Sequence, residues 1–334
     1  MCEVYILFSG GIDSTFACFI LKKLNVKFIC VYIKICIYKK KESISNEINN
    51  CISLSSFLNS NFSIVDKTEE YKNKIYKKLI KEYLAGKTIN PDVLCNREIK
   101  FGSVFRMLIK RENFTFITGH YARKKEGKVL ISKDFKKDQT YFIFNIRNIK
   151  QVIFLMGEFI KREVIYIGSK IFFYRINAQS RGICFLEISK FRSFIGMFIK
   201  KKNTLETVNG IIKGKNCASL HLTIGQRVNY CLGRKNYIVK KQGNKMIITS
   251  NKDSIYLKKR TFIIIKYYNR EEKTNIKLLL LGKTSSQSKL NKCFLIRLKE
   301  RYKIVFVYPI RKVSPGQYIV IYKGNICYGG GMVK

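Results

Sequence analysis

The chain has 334 residues, of which 46% are apolar and 13% aromatic, so the composition excludes a wholly disordered protein. A single core rarely grows beyond about 250–300 residues, and the length therefore predicts two or three domains. Lysine and arginine number 65 against 22 acidic residues, and this net charge of +43 favours a polyanionic partner such as nucleic acid; AT-rich codons alone predict the same surplus without any partner.

The amino-terminal sequence MCEVYILFSGG has no basic region, long apolar run or small-residue cleavage site. The apolar stretches Phe28–Ile37 and Val152–Met156 are too short or too charged to span a bilayer. We therefore expect a cytoplasmic protein without a membrane partner. The 11 cysteines form no C-x-x-C pair and are an odd number, which argues against a disulfide framework, and with only two histidines a structural zinc site is not expected.

The first elements in chain order are a strand, a glycine turn and a helix. Val4–Phe8 is apolar and β-favouring, Ser14–Leu24 has helical spacing, and a second strand follows at Phe28–Ile33. This βαβ unit predicts a parallel sheet with helices on its faces. Further strands are predicted at Ser63–Asp66 and Phe114–Thr118, and further helices at Ile44–Leu58 and Glu69–Leu84.

After about residue 200 the pattern changes to short β-rich runs separated by Gly, Asn and Lys turns. The predicted runs are Leu205–Ile212, Tyr237–Val239, Lys245–Thr249, Phe262–Ile265, Ile276–Leu281, Cys293–Leu298, Lys303–Val307 and Tyr318–Tyr322. Their spacing is typical of small β-barrels or sandwiches. We therefore predict an α/β chain with three domains, over residues 1–197, 198–250 and 251–334.

The segment Ser9–Thr15, SGGIDST, lies at the predicted junction of strand and helix. Glycines there let backbone N–H groups approach phosphate oxygens, and the helix amino terminus adds partial positive charge. It lacks the lysine of a Walker A loop and resembles the SGGxDS loop (PP-loop) of enzymes that cleave ATP to AMP and pyrophosphate. By that resemblance Asp13 helps to hold Mg²⁺, and Ser9 and Ser14 bind phosphates; the alternative is an ordinary glycine turn with capping residues.

Two cysteines lie in distinctive runs. Cys95 lies in NPDVLCNREIKF, three residues after Asp92 and close to Arg97 and Lys100, whose charges would favour a thiolate. Cys184 lies in SRGICFL, beside an arginine and a glycine. Each cysteine taken alone is ordinarily a buried core residue. Two such thiolates that meet in space could instead cycle through a persulfide and a disulfide.

Several of these runs occur together in one known family. They are NPDVLCNREIKF, ITGHYAR (117–123), KKDQTYFI (136–143), RGICFLE (181–187), LTIGQRV (222–228), YIVKK (237–241) and VSPGQYIVIY with CYGGG (313–331). In this order, and over nearly the whole chain, they resemble the bacterial tRNA-specific 2-thiouridylases, the MnmA family. That resemblance implies a Rossmann-like PP-loop ATP-pyrophosphatase domain, a small central β-rich domain and a carboxy-terminal β-barrel that grips tRNA.

The resemblance also implies the residues that bind ATP and tRNA. The ATP contacts that it implies are Leu7, Phe8, Ser9, Gly10, Gly11, Ile12, Asp13, Ser14, Ile33 and Gly119. The tRNA contacts that it implies are Asn90, Pro91, Asp92, His120, Lys137, Asp138, Gln139 and Gln317, with Asp92 also a proton-transfer partner. ATP and Mg²⁺ are the expected cofactors, and the anticodon loop of tRNA is the expected partner.

By the same resemblance the activity is sulfur transfer to the wobble uridine. AMP is attached to the carbon-2 oxygen, Cys184 delivers sulfur as a persulfide, and Cys95 is the nucleophile that completes release, leaving a transient Cys95–Cys184 disulfide. A persulfide-carrying protein of a cysteine desulfurase relay is the implied sulfur donor.

The chain departs from the family pattern at a few positions. Ile33 stands where methionine is usual, segments 228–233 and 285–286 differ, and Lys39–Lys41 replace an acidic insertion. Two alternatives therefore stay open: another PP-loop ATP-pyrophosphatase that acts on tRNA, such as a lysidine or 4-thiouridine synthase, or a catalytically degenerate RNA-binding protein. The NPDVLCN and GICF runs argue against the first alternative, because those chemistries do not require this cysteine pair. An intact phosphate loop, Asp92 and both cysteines argue against the second.

Overall fold

The structure is a computed structural model that describes residues 2–37, 41–109, 113–147, 149–172, 203–216, 223–229, 235–242, 245–269, 278–299 and 301–334. The chain divides into two compact units. The first comprises Met1–Ile75, Pro91–Leu186 and Asn325–Tyr328, and the second comprises Tyr76–Asn90, Glu187–Gly324 and Gly329–Lys334.

A parallel sheet forms the centre of the first unit. The strands here are β1 (Glu3–Leu7), β2 (Ile29–Lys34), β3 (Asn61–Asp66), β4 (Phe114–Thr118), β5 (Ala122–Lys125), β6 (Lys128–Ile131) and β7 (Val152–Phe154). The sheet order is β3-β2-β1-β4-β7, and every pair in it is parallel. Because both faces of such a sheet are covered, β1 ends in an unbroken buried run rather than an alternating pattern. The predicted βαβ unit is confirmed.

Helices cover the faces of this sheet. In the first unit these are α1 (Ile12–Lys23), α2 (Lys41–Phe57), α3 (Thr68–Tyr71), α5 (Pro91–Cys95), α6 (Phe105–Ile109), α7 (Thr140–Ile143), a 3₁₀ turn (Leu155–Glu158) and α8 (Lys161–Phe172). The remaining helix, α4 (Lys77–Leu84), belongs to the second unit. Phe16 and Phe19 of α1 meet Phe159 and Phe172 edge-on, at centroid distances of 5.5 and 5.8 Å. Gly168 lets α8 approach α1, since a Cβ there would lie 3.1 Å from the Ile12 side chain.

Two of the helical stretches contain π-helical segments. Lys72–Tyr76 joins α3 to α4, and Asn96–Val104 joins α5 to α6. The sequence predicted one uninterrupted helix over Glu69–Leu84, and the π segment within it was not predicted. In the second segment a Cβ at Gly102 would lie 2.6 Å from the carbonyl oxygen of Arg97, five residues earlier. A glycine is therefore needed where the wider i→i+5 turn closes.

A five-stranded sheet lies in the second unit. Its strands are β8 (Asn203–Thr207), β9 (Ile212–Asn216), β10 (Arg227–Asn229), β11 (Lys235–Gln242) and β12 (Lys245–Thr249), in the order β10-β11-β12-β8-β9. Its core consists of Leu205, Val228, Ile238, Met246 and Ile248. The single strand predicted over Leu205–Ile212 is wrong. The chain turns back at Asn209-Gly210, where Gly210 has φ +82°, because this dipeptide is a strong hairpin signal.

A closed β-barrel forms the rest of the second unit. Its strands are β13 (Lys258–Asn269), β14 (Leu278–Lys283), β15 (Asn291–Arg297), β16 (Tyr302–Arg311), β17 (Tyr318–Lys323) and β18 (Ile326–Val333). They follow the order β13-β16-β15-β14-β17-β18, and pairing of β13 with β18 closes six strands into a barrel. Phe262 and Phe306 meet edge-on inside it at 5.9 Å. Residues 325–328 group with the first unit, where Ile326 pairs with Leu130 of β6.

The predicted fold class is confirmed. The chain is α/β, with a Rossmann-like parallel sheet, a small β-rich region and a carboxy-terminal barrel. Among the described residues, no helix is long and apolar enough to cross a membrane.

Candidate functional site

The loop between β1 and α1 is built from hydrogen bonds among its own residues. The Ser14 hydroxyl donates to the Gly11 carbonyl at 3.0 Å and lies 3.2 Å from the Ser9 hydroxyl. Gly10 has φ +68°, and a Cβ on it would lie 2.9 Å from the Cys51 sulfur, so only glycine fits there. The first amides of α1 precede any intrahelical acceptor and remain available to a ligand. This loop therefore has the backbone form of a phosphate site.

The loop lies at the point where the order of the sheet changes direction. The chain adds β2 and then β3 on one side of β1, and β4 on the other. In open parallel sheets ligands bind at the carboxyl ends of the strands at such a point. The loop after β4 also reaches it, since a Cβ on Gly119 would lie 3.4 Å from the Ser14 backbone nitrogen.

The predicted ATP residues are therefore gathered in the first unit. Gly119 touches the start of α1, and Leu7, Phe8 and Ile33 are buried at the carboxyl ends of adjacent strands. The Phe8 N–H donates to the Val31 carbonyl at 2.9 Å, which joins the start of the loop to β2.

Asp13, in the first turn of α1, has two partners that are distant in the sequence. The Tyr121 hydroxyl donates to Asp13 Oδ1 at 2.9 Å, and Lys161 Nζ lies 2.5 Å from the same oxygen. Burial, and then the charge of Asp13, raise the pKa of the Tyr121 hydroxyl, which is therefore a hydrogen-bond donor at neutral pH. Sequence reasoning missed both partners. Tyr121 stood in a quoted motif without a role, and no motif contained Lys161.

Cys95 is the last residue of α5 and is fully buried. Pro91 begins this helix, where a residue without an N–H loses no hydrogen bond, and Asp92 follows it in the first turn. Arg97 is paired with its neighbour Glu98, with Nη2 2.6 Å from Oε1, so its charge is partly neutralised. Cys184 lies outside the described residues, and the predicted pairing of Cys95 with Cys184 stays a prediction.

His120 connects the loop after β4 to the helix that follows Cys95. Its Nδ1 lies 3.0 Å from the Thr118 hydroxyl, and its ring lies 5.6 Å from the ring of Phe101. Burial, and then the charge of Lys100, hold the pKa of His120 well below its usual value. A neutral imidazole at pH 7 recognises RNA by hydrogen bonding or stacking rather than by charge.

The three predicted tRNA contacts at residues 137–139 differ in exposure. Lys137 is exposed and Gln139 is half-buried. The Asp138 carboxylate is 3% exposed and accepts the Thr140 hydroxyl at 2.8 and 2.9 Å, so it shapes the turn. Gln139 and Tyr121 exchange two bonds of 2.9 Å, Tyr121 N–H to Gln139 Oε1 and Gln139 N–H to the Tyr121 carbonyl. This segment therefore braces the tyrosine that contacts Asp13.

Gln317 lies in the second unit and holds the chain just before Asn90. Its Nε2 donates to the Thr88 carbonyl at 2.7 Å, and the Thr88 N–H donates to the Pro315 carbonyl at 2.9 Å. Between them Gly316 has φ +89°, and a Cβ on it would lie 3.1 Å from the Thr88 nitrogen. The predicted tRNA residues Gln317 and Asn90 are thus joined through a short hydrogen-bonded segment.

The residues described above lie in segments of the chain that match known proteins. Residues 2–188 match the family profile described as "tRNA methyl transferase HUP domain", and residues 259–333 match the profile described as "Aminomethyltransferase beta-barrel domain". A protein from Buchnera aphidicola subsp. Acyrthosiphon pisum, named tRNA-specific 2-thiouridylase MnmA, is 31% identical over 99% of this chain and 96% of its own length. The chain belongs to the MnmA family.

Two further MnmA relatives support the assignment. The proteins of that name from Photorhabdus laumondii and Lysinibacillus sphaericus are 29% and 28% identical, each over 99% of this chain and over 97% and 94% of their own lengths. The resemblance predicted from the motifs is confirmed. The profile over residues 2–188 contains the phosphate loop and both cysteines, and the barrel profile contains Gln317.

Proposed function

We propose that this MnmA-family chain is a tRNA 2-thiouridylase, a sulfurtransferase that adenylates the wobble uridine and inserts sulfur from a cysteine persulfide. One observation carries the proposal. The dipeptide Gly119-His120 touches the phosphate loop at Ser14 on one side and Phe101, which follows Cys95 in the chain, on the other. The loop proposed to cleave ATP and the π-helical segment that begins one residue after Cys95 therefore both contact the turn after β4.

ATP is proposed to bind with its phosphates on the amides of residues 9–14 and its adenine toward Ile33. The loop accepts anions through backbone N–H groups and the positive end of α1. The uridine carbon-2 oxygen then bonds to the α-phosphorus, the bond to the β-phosphate oxygen breaks, and pyrophosphate leaves. Transfer of AMP converts a poor leaving oxygen into a good one.

Asp13 fits the proposed Mg²⁺ site through its second oxygen. Both described partners bond to Oδ1, and within the described part of the chain the carboxylate has no other hydrogen bond or ion pair. No group of three His, Cys, Asp or Glu among the described residues forms a metal cluster. Mg²⁺ commonly takes one or two carboxylates together with substrate phosphates, which matches this arrangement. When bound, the ion neutralises charge that develops on the phosphates.

The sulfur step is proposed to use both cysteines. The terminal sulfur of the Cys184 persulfide bonds to carbon 2 as AMP leaves. The Cys95 thiolate then attacks Cys184 Sγ, the sulfur–sulfur bond breaks, and thiouridine is released with its sulfur. The product on the protein is a transient Cys95–Cys184 disulfide, which a dithiol reductant returns to two thiols. Asp92, two helical positions into α5, is proposed to accept the proton lost by the base.

The remaining assignments concern binding and cellular context. We propose that tRNA is gripped at Asn90–Asp92, His120, Lys137–Gln139 and Gln317, with the uridine unstacked from the anticodon loop. The domains proposed are a catalytic domain (1–197), a central linker domain (198–250) and a tRNA-binding barrel (251–334). The chain is proposed to work in the cytoplasm with a persulfide donor of a cysteine desulfurase relay.

The test compares Cys184→Ser with Cys95→Ser. Cys184→Ser should accept no sulfur at this position and make no thiolated tRNA. Cys95→Ser should still accept sulfur on Cys184 and adenylate the uridine, yet release no product. Intact-protein mass spectrometry detects the added sulfur atom, and nucleoside analysis of the tRNA detects 2-thiouridine.

Cys293→Ser, which alters a fully buried cysteine of the barrel, is the matched control and should keep activity. Full thiolation by either cysteine variant would contradict the two-cysteine mechanism. A different modified nucleoside made by the wild-type protein would favour another PP-loop enzyme. Tight tRNA binding with no modification at all would favour a degenerate RNA-binding protein.

A further inference from the structure

The phosphate loop carries no cation of its own. Residues 9–15 contain one charged side chain, that of Asp13, and no lysine or arginine. Expulsion of pyrophosphate places negative charge on the leaving oxygens, and sites of phosphoryl transfer stabilise such charge with Lys, Arg or Mg²⁺. A side-chain cation that stabilises this charge must therefore come from another part of the chain.

Lys161 brings an ammonium group to the loop. It is the first residue of α8 and lies 148 positions after Asp13, whose Oδ1 is 2.5 Å from its Nζ. Its side chain is 12% exposed, against 34% for Asp13. The Lys161 side chain is therefore the more buried partner of this pair.

The fold holds Lys161 in place from its backbone. The Lys161 N–H donates to Asp134 Oδ2 at 3.0 Å, which caps the start of α8. The preceding 3₁₀ turn lies against β5, and a Cβ on Gly157 would lie only 1.7 Å from the Ala122 carbonyl oxygen. Gly157 thus permits the close approach that brings the start of α8 to the loop. The position of the ammonium follows from these packed elements.

A purely structural role explains this ion pair poorly. Asp13 already receives the Tyr121 hydroxyl, so the carboxylate is held without Lys161. The Asp13 side chain is 34% exposed, and ion pairs that solvent reaches contribute little to stability. A cation beside the amino terminus of α1 is also opposed by the helix dipole. One of the three ammonium N–H donors is used by Asp13 in the described part of the chain, and an anion on the loop would satisfy the others.

We propose that Lys161 is the cation that binds the pyrophosphate portion of ATP at this loop. The inference rests on the proposed function, in which ATP occupies the loop. As the uridine oxygen bonds to the α-phosphorus, pyrophosphate leaves with the electron pair of the broken bond. Lys161 donates N–H bonds to its oxygens and keeps its own proton. Asp13 holds the ammonium beside the amides of α1 until the phosphates share it.

The test separates phosphate binding from support of the loop. Lys161→Met keeps the length and apolar stem of the side chain and removes the charge. Loss of a charge-assisted phosphate contact should weaken ATP binding by about 10–100-fold, while the affinity for AMP stays within about threefold. Lys161→Arg should recover most of the ATP affinity. Calorimetric titration of the full chain with ATP and with AMP, in Mg²⁺ and without tRNA, gives all of these values.

Two controls keep the inference falsifiable. Lys170→Met removes an exposed charge from the same helix as Lys161 and should change the ratio of ATP to AMP affinity by less than about threefold. If Lys161→Met does not fold, Asp13→Asn with Lys161→Met removes both charges and is compared with Asp13→Asn alone. Equal losses for ATP and AMP, or no loss for ATP, would overturn the role of Lys161. Wild-type protein that binds no ATP would instead overturn the proposed function.

Discussion

At the residue scale, Asp13 anchors Tyr121 and Lys161 through one carboxylate oxygen, and in the proposed mechanism its other oxygen binds Mg²⁺. The neighbouring residues also differ in what they do. Ser9 and Ser14 shape the loop, and Gly119 leaves the Ser14 amide uncovered. The chemistry of the loop therefore depends on a few polar atoms, and the surrounding glycines permit their spacing.

Asp13→Asn should lower pyrophosphate release with saturating tRNA by about 100-fold or more, because the amide cannot replace a charged Mg²⁺ ligand. Its tRNA affinity should stay near that of the wild type, since the loop lies in an ATP site. The measurement is pyrophosphate release, paired with a tRNA binding assay. Asp253→Asn, at an exposed turn, is the control. Near-normal release by Asp13→Asn would remove Asp13 from the proposed metal role.

The stability of the protein should depend on pH through His120. Burial and the charge of Lys100 lower its pKa in the folded protein below the unfolded value of about 6.5. The unfolded chain therefore binds the proton first, and stability is lost as the pH falls from about 6.5 toward the folded pKa, at up to about 1.4 kcal/mol per pH unit.

The comparison variant for this effect is His120→Asn, which cannot titrate. The difference in free energy of unfolding between wild type and His120→Asn should be constant above pH 7.5 and shrink as the pH falls below about 6.5. Urea unfolding across this range measures it. A difference that does not change with pH would show that the imidazole titrates alike in both states.

Residues close together in the sequence were predictable from it, and distant partners were not. Ser9–Ser14 and Gly119 belong to short motifs whose turn chemistry is local, and the structure places them at one sheet edge. Lys161 and Asp13 are 148 positions apart, and Gln317 and Thr88 are 229 apart. Packing of whole elements creates these pairs. The spacing of residues within the motifs therefore cannot predict these pairs.

At the element scale, the helix that carries Cys95 is one of two described helical stretches that contain a π segment. It passes from α5 into the π segment Asn96–Val104 and then into α6. Such segments are frequent at functional sites, since the wider turn changes which side chains share a face. Neither this helix nor its change of pitch was predicted from the sequence. Phe101, which contacts His120, lies inside the π segment.

Gly102→Ala should destabilise the protein by about 1–3 kcal/mol, as expected for overpacking in a filled core, because its Cβ would lie 2.6 Å from the Arg97 carbonyl. It should also lower thiolation, since relief of the clash shifts the turn between Cys95 and Phe101. Chemical denaturation and nucleoside analysis measure the two effects. Met107→Ala, on the exposed face of α6, is the control. Unchanged stability would mean that the helix adapts its pitch without cost.

At the scale of the whole molecule, the net charge is +43, and the lysines differ in whether they form ion pairs with carboxylates. Burial, and then repulsion from Lys259 and Lys240, lower the pKa of Lys312, which shows that these three lysines of the second unit are close together. None of the three forms an ion pair with a carboxylate among the described residues. By contrast Lys67, Lys72 and Lys74 pair with Glu69 and Glu70.

Binding of tRNA should depend steeply on salt. If roughly 6–10 phosphates are contacted, affinity should fall by about 10³–10⁵ between 50 and 200 mM salt. Replacing Lys240, Lys259 and Lys312 with glutamine should reduce the slope of log affinity against log salt. The same change at Lys67, Lys72 and Lys74 alters net charge equally and should reduce the slope less. Filter binding across salt concentrations measures both, and a flat response in the wild type would mean that codon bias alone explains the lysines.

The bonds from residues 315–317 to Thr88 set an order of events during synthesis. Thr88 is made before its partners, since Gln317 lies 229 positions later in the chain. At about 5–20 residues per second, the interval between them is roughly 10–50 s. Throughout that time the βαβ unit and its phosphate loop can form, while the segment before Asn90 has no partners to receive it. A ribosome-bound chain can thus fold its phosphate loop well before the segment that precedes Asn90 meets its hydrogen-bond partners at residues 315–317.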